Sequence, residues 1–123
     1  MAGHSILYLG RGEFATDYLG ELESLPFCAL LTRSAELEVP ADAPSIIDVV
    51  LLEAGPAIAQ SGQSLSELIS LLEPYPVVAL TTREREHRGI SAVRAGAQGY
   101  ICIDDVTVEA QEAIMQHAVQ RHR

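Results

Sequence analysis

The chain has 123 residues, 48% of them hydrophobic and 20% charged, with a formal net charge of −9. That size and composition suit one globular domain with its own core, and the acidic balance argues against a nucleic-acid backbone or an anionic membrane as partner, since either needs a basic face. The charge is uneven: residues 1–75 hold eleven acids against two arginines, residues 76–123 hold six of each, and there is no lysine anywhere.

Cys28 and Cys102 both lie in apolar, strand-like runs, where a thiol behaves as a small hydrophobe, so no disulfide framework is expected. There is no charged start followed by an apolar signal core, and no apolar run approaches the length that spans a bilayer. A cytoplasmic location is the expectation.

In chain order, Ser5 to Leu9 reads as a short apolar strand closed by Gly10-Arg11-Gly12. Phe14, Tyr18, Leu19, Leu22 and Leu25 then recur at helical spacing, with acids on the remaining positions, until Pro26 ends the helix. Phe27 to Thr32 is expected to make a second buried strand. The segment from Ser34 to Pro44 contains two prolines and little periodicity, and holds one helical turn at most. Ile46 to Leu52 is a third strand, rich in β-branched residues and without period-2 alternation, as expected of a strand buried on both faces; it ends on Glu53, followed by Gly55 and Pro56.

Ser64-Leu65-Ser66-Glu67 has the form of a capping box opening a helix with Leu65, Leu68, Ile69 and Leu72 inward. Val77 to Thr81 is a fourth strand. The polar run Arg83 to Arg88 starts a helix with a thin apolar face, Ile90, Val93 and Ala97, and Tyr100 to Ile103 is a fifth strand. A last helix, capped by Asp105 or Thr107, runs to Arg123 with Val108, Ile114, Met115, Ala118 and Val119 inward. Five short strands alternating with helices predict an α/β domain: five parallel strands covered by helices on both faces, with the second helix short or missing.

The runs Ile47-Asp48-Val49-Val50-Leu51-Leu52-Glu53, Val77-Val78-Ala79-Leu80-Thr81-Thr82 and Arg94-Ala95-Gly96-Ala97-Gln98-Gly99-Tyr100-Ile101 carry a resemblance over nearly the whole chain. The sequence resembles the receiver domain of bacterial two-component response regulators. The resemblance implies a flavodoxin-like sheet of order 2-1-3-4-5, and the tail from Ala113 looks like the final helix of receivers that continue into a sensor, diguanylate cyclase, phosphodiesterase or kinase module. Residues 1–123 are accordingly expected to form the amino-terminal, receiver-like domain of a longer signalling protein.

A working receiver takes a phosphoryl group on an aspartate after strand three and holds magnesium with that aspartate and an acidic pair after strand one. A lysine after strand five and a hydroxyl after strand four contact the phosphate. Here Glu53 stands in the aspartate's place, Gly10 and Arg11 in that of the acidic pair, and Ile103 in the lysine's, whereas Thr81 and Tyr100 match the hydroxyl and the aromatic that moves with it. One carboxylate beside a guanidinium is a poor site for magnesium, and without metal or lysine nothing stabilises a transferring phosphoryl group. A degenerate pseudo-receiver is expected, with no metal, no cofactor and no enzymatic activity.

Arg11 is expected to lay its fork against Glu53, pinning the loops after strands one and three. The plainer reading of Glu53 is a solvated strand-end carboxylate; of Thr81, a hydroxyl bonding local backbone; of Tyr100, a core aromatic. In receivers the face built by the fourth helix, fifth strand and fifth helix carries partner contacts, and Ile90, Val93, Val108 and Met115 are the candidates for such a face here, supporting a weak homodimer or contact with a downstream output domain. The mixed run Arg83 to Arg88 is most simply a solvated helix face.

Two other readings remain. Gly10-Arg11-Gly12-Glu13-Phe14-Ala15 satisfies the loose G-x-G-x-x-A form after a strand, and Arg33 ends strand two where an NADP-preferring dinucleotide-binding protein places an arginine. An atypical receiver still phosphorylated at Glu53 or elsewhere is the other. His4, His87, His117 and His122 have no ligand spacing.

Overall fold

The computed structural model describes residues 3–43, 46–55, 58, 62 and 64–122. Nine elements follow one another among them: β1 (His4–Leu9), α1 (Thr16–Glu23), β2 (Cys28–Ser34), β3 (Val49–Glu53), α2 (Leu65–Leu71), β4 (Val77–Thr81), α3 (Glu86–Arg94), β5 (Gly99–Cys102) and α4 (Val108–His122). The five strands form one parallel sheet of order β2-β1-β3-β4-β5, the flavodoxin-like order expected from the sequence.

Strand alternation splits the core into two layers. Ile6, Tyr8, Val49, Leu51, Val78, Leu80 and Ile101 face α1 and α4, meeting Tyr18, Leu19, Leu22, Met115 and Ala118. Leu7, Leu9, Val50, Leu52, Val77 and Ala79 face α2 and α3, meeting Leu68, Ile69, Leu72 and Ala92. Every residue of β3 and β4 is buried because both strands have a neighbour on each side and helices over each face. That explains the missing period-2 signal in their sequences.

Local chemistry places the helix ends. The Ser64 hydroxyl accepts the Glu67 N–H at 3.1 Å while the Glu67 carboxylate accepts the Ser64 N–H at 3.4 Å, the reciprocal box that the spacing predicts. Thr107 caps α4 by accepting the Ala110 N–H at 3.0 Å. Between β2 and β3 the described residues contain no helix; Leu37 and Val39 pack from the loop onto the face where one would lie.

The third strand starts later than its apolar sequence suggests. Ile46 is 70% exposed, and the ladder begins at Val49, because Asp48 turns its own polar groups to β1: its carboxylate accepts the Ser5 N–H at 2.7 Å and its N–H donates to the Ser5 carbonyl at 2.8 Å. Pro44, Ser45, Pro56 and Arg123 lie outside the described residues. Cys28 and Cys102 are free and stand on opposite edge strands. Among the described residues no helix is long and apolar enough to cross a membrane.

Candidate functional site

Parallel register brings the strand ends to one edge. Leu9 pairs with Leu52, Glu53 with Leu80, and Thr81 with Cys102, so Gly10, Glu53, Thr81 and Ile103 all stand at or just beyond the carboxyl edge of the sheet, across the β1/β3 switch point and its neighbours. The edge is where the sequence placed the degenerate acceptor site, but its side chains are used differently.

Glu53 is only 1% exposed. Its carboxylate accepts three backbone N–H groups from the loop entering α1: Glu13 at 3.1 Å, Phe14 at 3.3 Å and Ala15 at 3.2 Å. These are donors that a helix start leaves without intrahelical partners, and Ala15 at the N-cap has no side chain to satisfy them. Gly12 makes the arrangement possible: at φ 70° it turns the chain through a left-handed conformation, after which the following amides face β3. The loops after β1 and β3 are thus pinned by backbone amides on the Glu53 carboxylate. The reading of Glu53 as a solvated carboxylate is excluded by its burial.

Tyr8 completes this corner, and sequence reasoning missed it. Its hydroxyl accepts the Gly12 N–H at 3.0 Å and is a hydrogen-bond neighbour of the Glu53 carboxylate. Burial pushes the phenol well above its usual range, and the adjacent carboxylate pushes the same way. Gly10 is glycine for a steric reason: a Cβ there would sit 2.5 Å from the Tyr8 hydroxyl and 2.7 Å from the Glu53 Cβ. An acidic side chain at this position and the Tyr8–Glu53 packing exclude each other. The only sequence signal for Tyr8 was an aromatic two residues before the Gly-Arg-Gly turn.

Thr81 is fully buried and donates its hydroxyl to the Arg85 carbonyl at 2.8 Å, fastening the turn that enters α3, which is the plainer of its two readings. Ile103 packs its partly buried side chain against the α1/α4 layer and gives its N–H to the Thr81 carbonyl at 2.9 Å. An apolar group thus closes the corner where a receiver holds its lysine.

Tyr100 lies across α3: a Cβ on Gly89 would come within 2.6 Å of its ring, and its hydroxyl donates to the Glu86 carboxylate at 2.7 Å. That hydrogen bond raises the Tyr100 phenol, and it lowers the Glu86 carboxyl together with Arg83. Arg83 in turn joins Glu86 at 2.7 Å and forks onto Asp105 at 2.8 and 2.7 Å, while its backbone N–H donates to Asp104 at 3.0 Å. The run first read as a solvated face contains this hub. Its i,i+3 half, Arg83 to Glu86, was legible as a helix pair; its long-range half, to the β5–α4 loop, was not.

On the α3–β5–α4 face Ile90, Val93 and Val108 are 40%, 40% and 46% exposed, as a contact surface requires. Met115 is not part of it. It is fully buried against the sheet, because α4 turns Met115, Ala118 and Val119 inward together. A groove of about 310 Å³ runs past Arg83, Tyr100, Cys102, Asp105 and Thr107, and one of about 440 Å³ past Val93, Gly99, Tyr100, Ile114 and His117.

No family model matches the chain, and no curated protein sequence matches it. Among solved structures it is similar to a CheY-like protein, TadZ, of Pseudomonas aeruginosa PAO1, with a TM-score of 0.62, 20% identity, and 92% of this chain covering 98% of that one. It is also similar to a fusion protein carrying a trimeric coiled-coil segment of yeast Spc42, with a TM-score of 0.67, 16% identity, and 96% of this chain covering 80% of that one. At such identities the likeness is one of fold, and the fold is the CheY-like, flavodoxin-like one that the strand order describes.

Proposed function

We propose that this domain is a phosphorylation-independent receiver-like module of signal transduction, acting through protein contacts on its α3–β5–α4 face and serving a longer protein with an output module. The observation that carries this reading is the burial of Glu53: both carboxylate oxygens accept backbone N–H groups, and the side chain is 1% exposed. An attacking oxygen needs an in-line approach by the phosphoryl donor, and a side chain 1% exposed offers none. Gly10 and Arg11 supply no carboxylate for magnesium, and Ile103 supplies no cation for the phosphoryl group.

The same geometry weighs against the dinucleotide reading. In such proteins a pyrophosphate occupies the amides at the first helix start, and here a carboxylate of the chain itself accepts the N–H groups of residues 13–15. Incubation with acetyl phosphate and magnesium, followed by intact mass measurement, is expected to leave the protein unmodified; a stoichiometric gain of one phosphoryl group on Glu53 overturns the reading. Sedimentation at rising concentration is expected to reveal a weak homodimer.

A further inference from the structure

Two loops at the carboxyl edge are tied by one side chain. Arg83, in the β4–α3 loop, places its Nε and one terminal nitrogen on the two oxygens of Asp105 in the β5–α4 loop, at 2.8 and 2.7 Å, and its other terminal nitrogen on Glu86 at 2.7 Å. The same Glu86 oxygen accepts the Tyr100 hydroxyl at 2.7 Å, and the Arg83 N–H is held by Asp104 at 3.0 and 3.1 Å. Asp105, Arg83, Glu86 and Tyr100 thus form one chain of charge-assisted contacts, ending on a ring that Gly89 alone leaves room for. The planar fork matters: a lysine could not bond both oxygens of Asp105 and still reach Glu86. Thr81, spent on the Arg85 carbonyl, takes no part.

We propose that Arg83 is an ionic latch that fixes Tyr100 against Gly89 and thereby sets the shape of the α3–β5–α4 face, so that releasing the latch changes what the face binds. This regulation rests on reading that face as the interaction surface. The observation behind it is that Tyr100 lines both grooves of the face, while the residues that hold Tyr100 line only the first. Movement of the ring alters both grooves at once. Because Arg83 is exposed, the latch is a bias and not a permanent bond, and solvent and salt compete with it.

The test uses the whole chain at a dilution where it is monomeric, with Arg83→Gln, Glu86→Gln and Arg83→Lys compared by nuclear magnetic resonance. In the unsubstituted protein the Tyr100 ring is expected to show a strong Overhauser contact to the Gly89 α-protons. Arg83→Gln should weaken that contact and speed exchange of the residue-83 amide roughly three- to ten-fold, the factor that two exposed charge pairs are worth. Arg83→Lys should restore it only in part, and 1 M salt should reproduce the loss in the unsubstituted protein while changing little in Arg83→Gln. Because Arg83 and the phenol meet on the same Glu86 oxygen, a double-mutant cycle of Arg83→Gln with Tyr100→Phe should show non-additive effects on that exchange.

An intact ring contact and unchanged exchange in both Arg83→Gln and Glu86→Gln overturn the latch. Self-association of the same variants, measured by sedimentation, should shift at least three-fold; a released ring with unchanged self-association overturns the regulatory part. If the unsubstituted protein stays monomeric at high concentration, the interaction reading of the face fails, and the latch stands or falls on the ring contact and exchange alone.

Discussion

The Ala15 N–H donates to the Glu53 carboxylate across 3.2 Å, tying the first turn of α1 to the end of β3 over 38 residues of sequence. One Glu53 oxygen is shared by Phe14 and Ala15, and the other takes Glu13. Every lone pair in use therefore faces a donor, so the corner tolerates an acceptor and nothing else. Replacement by glutamine puts an NH₂ group against a backbone N–H in either orientation. Glu53→Gln should lower unfolding stability by about 1–3 kcal/mol, the cost of a buried unsatisfied donor. Aspartate, one methylene shorter, should fail to span the gap and lose a similar amount. Denaturant melts check this, and a loss below about 0.5 kcal/mol, the level of an ordinary surface change, would show that the amides do not hold the carboxylate.

Gly10 and Tyr8 form the second constraint on the same corner. A methyl group on Gly10 meets the Tyr8 hydroxyl at 2.5 Å and the Glu53 Cβ at 2.7 Å. Gly10→Ala should cost about 1–3 kcal/mol through overpacking. Tyr8→Phe removes the nearer obstacle, so the double variant should be less destabilised than the sum of the two single ones. Strict additivity in denaturant melts counts against this picture.

How far the molecule was legible follows from where each signal lives. Val77–Thr81, the Ser64 box and the inward Leu68 and Ile69 were readable because they are set by neighbours within four residues. Ile46 was not: its β-branched character signalled strand, but Asp48 bonds Ser5 and the ladder begins only after it. At the site, the sequence singled out Glu53, and the structure joins it to the loop after β1 through the N–H groups of Glu13, Phe14 and Ala15. Those amides left no signal to read, because backbone donors have no letter in a sequence. Asp105 could not be linked to Arg83 by spacing, since 22 residues and a whole strand separate them. Ile90 and Val93, the thin apolar face of α3, stay partly exposed because the buried Gly89 and Ala92 are the small residues that let that helix approach the sheet.

The division of α3 and α4 into buried and exposed sides gives a paired prediction. Met115 is fully buried, so Met115→Ala should cost about 2–5 kcal/mol by leaving a cavity in the core. Val93 and Val108 are 40% and 46% exposed, and their replacement by serine should change stability by no more than about 0.5 kcal/mol while weakening self-association in sedimentation. A Met115→Ala protein of normal stability would return that residue to the contact face.

Alkaline stability should be governed by Tyr8 and Tyr18. Both are buried, and burial raises both phenols far above their ordinary value of 10.0, with Glu53 adding to the effect at Tyr8. The Tyr18 hydroxyl also donates to the Gln111 side chain at 2.7 Å, a bond that ionisation would destroy. In the unfolded chain both phenols release their protons near pH 10, whereas in the folded protein they keep them, so above that pH the folded state binds more protons than the unfolded one. Stability is therefore unaffected by these groups below pH 10 and falls above it, by about 1.4 kcal/mol per pH unit for each tyrosine. Denaturant midpoints measured from pH 9 to 12 should drop accordingly, and phenolate absorbance from these two residues should rise together with loss of the helical circular dichroism signal. Tyr18→Phe should remove that residue's share of the slope, about 1.4 kcal/mol per pH unit. A smooth phenolate titration of all tyrosines near pH 10, with the fold intact, would mean that these two hydroxyls are open to solvent.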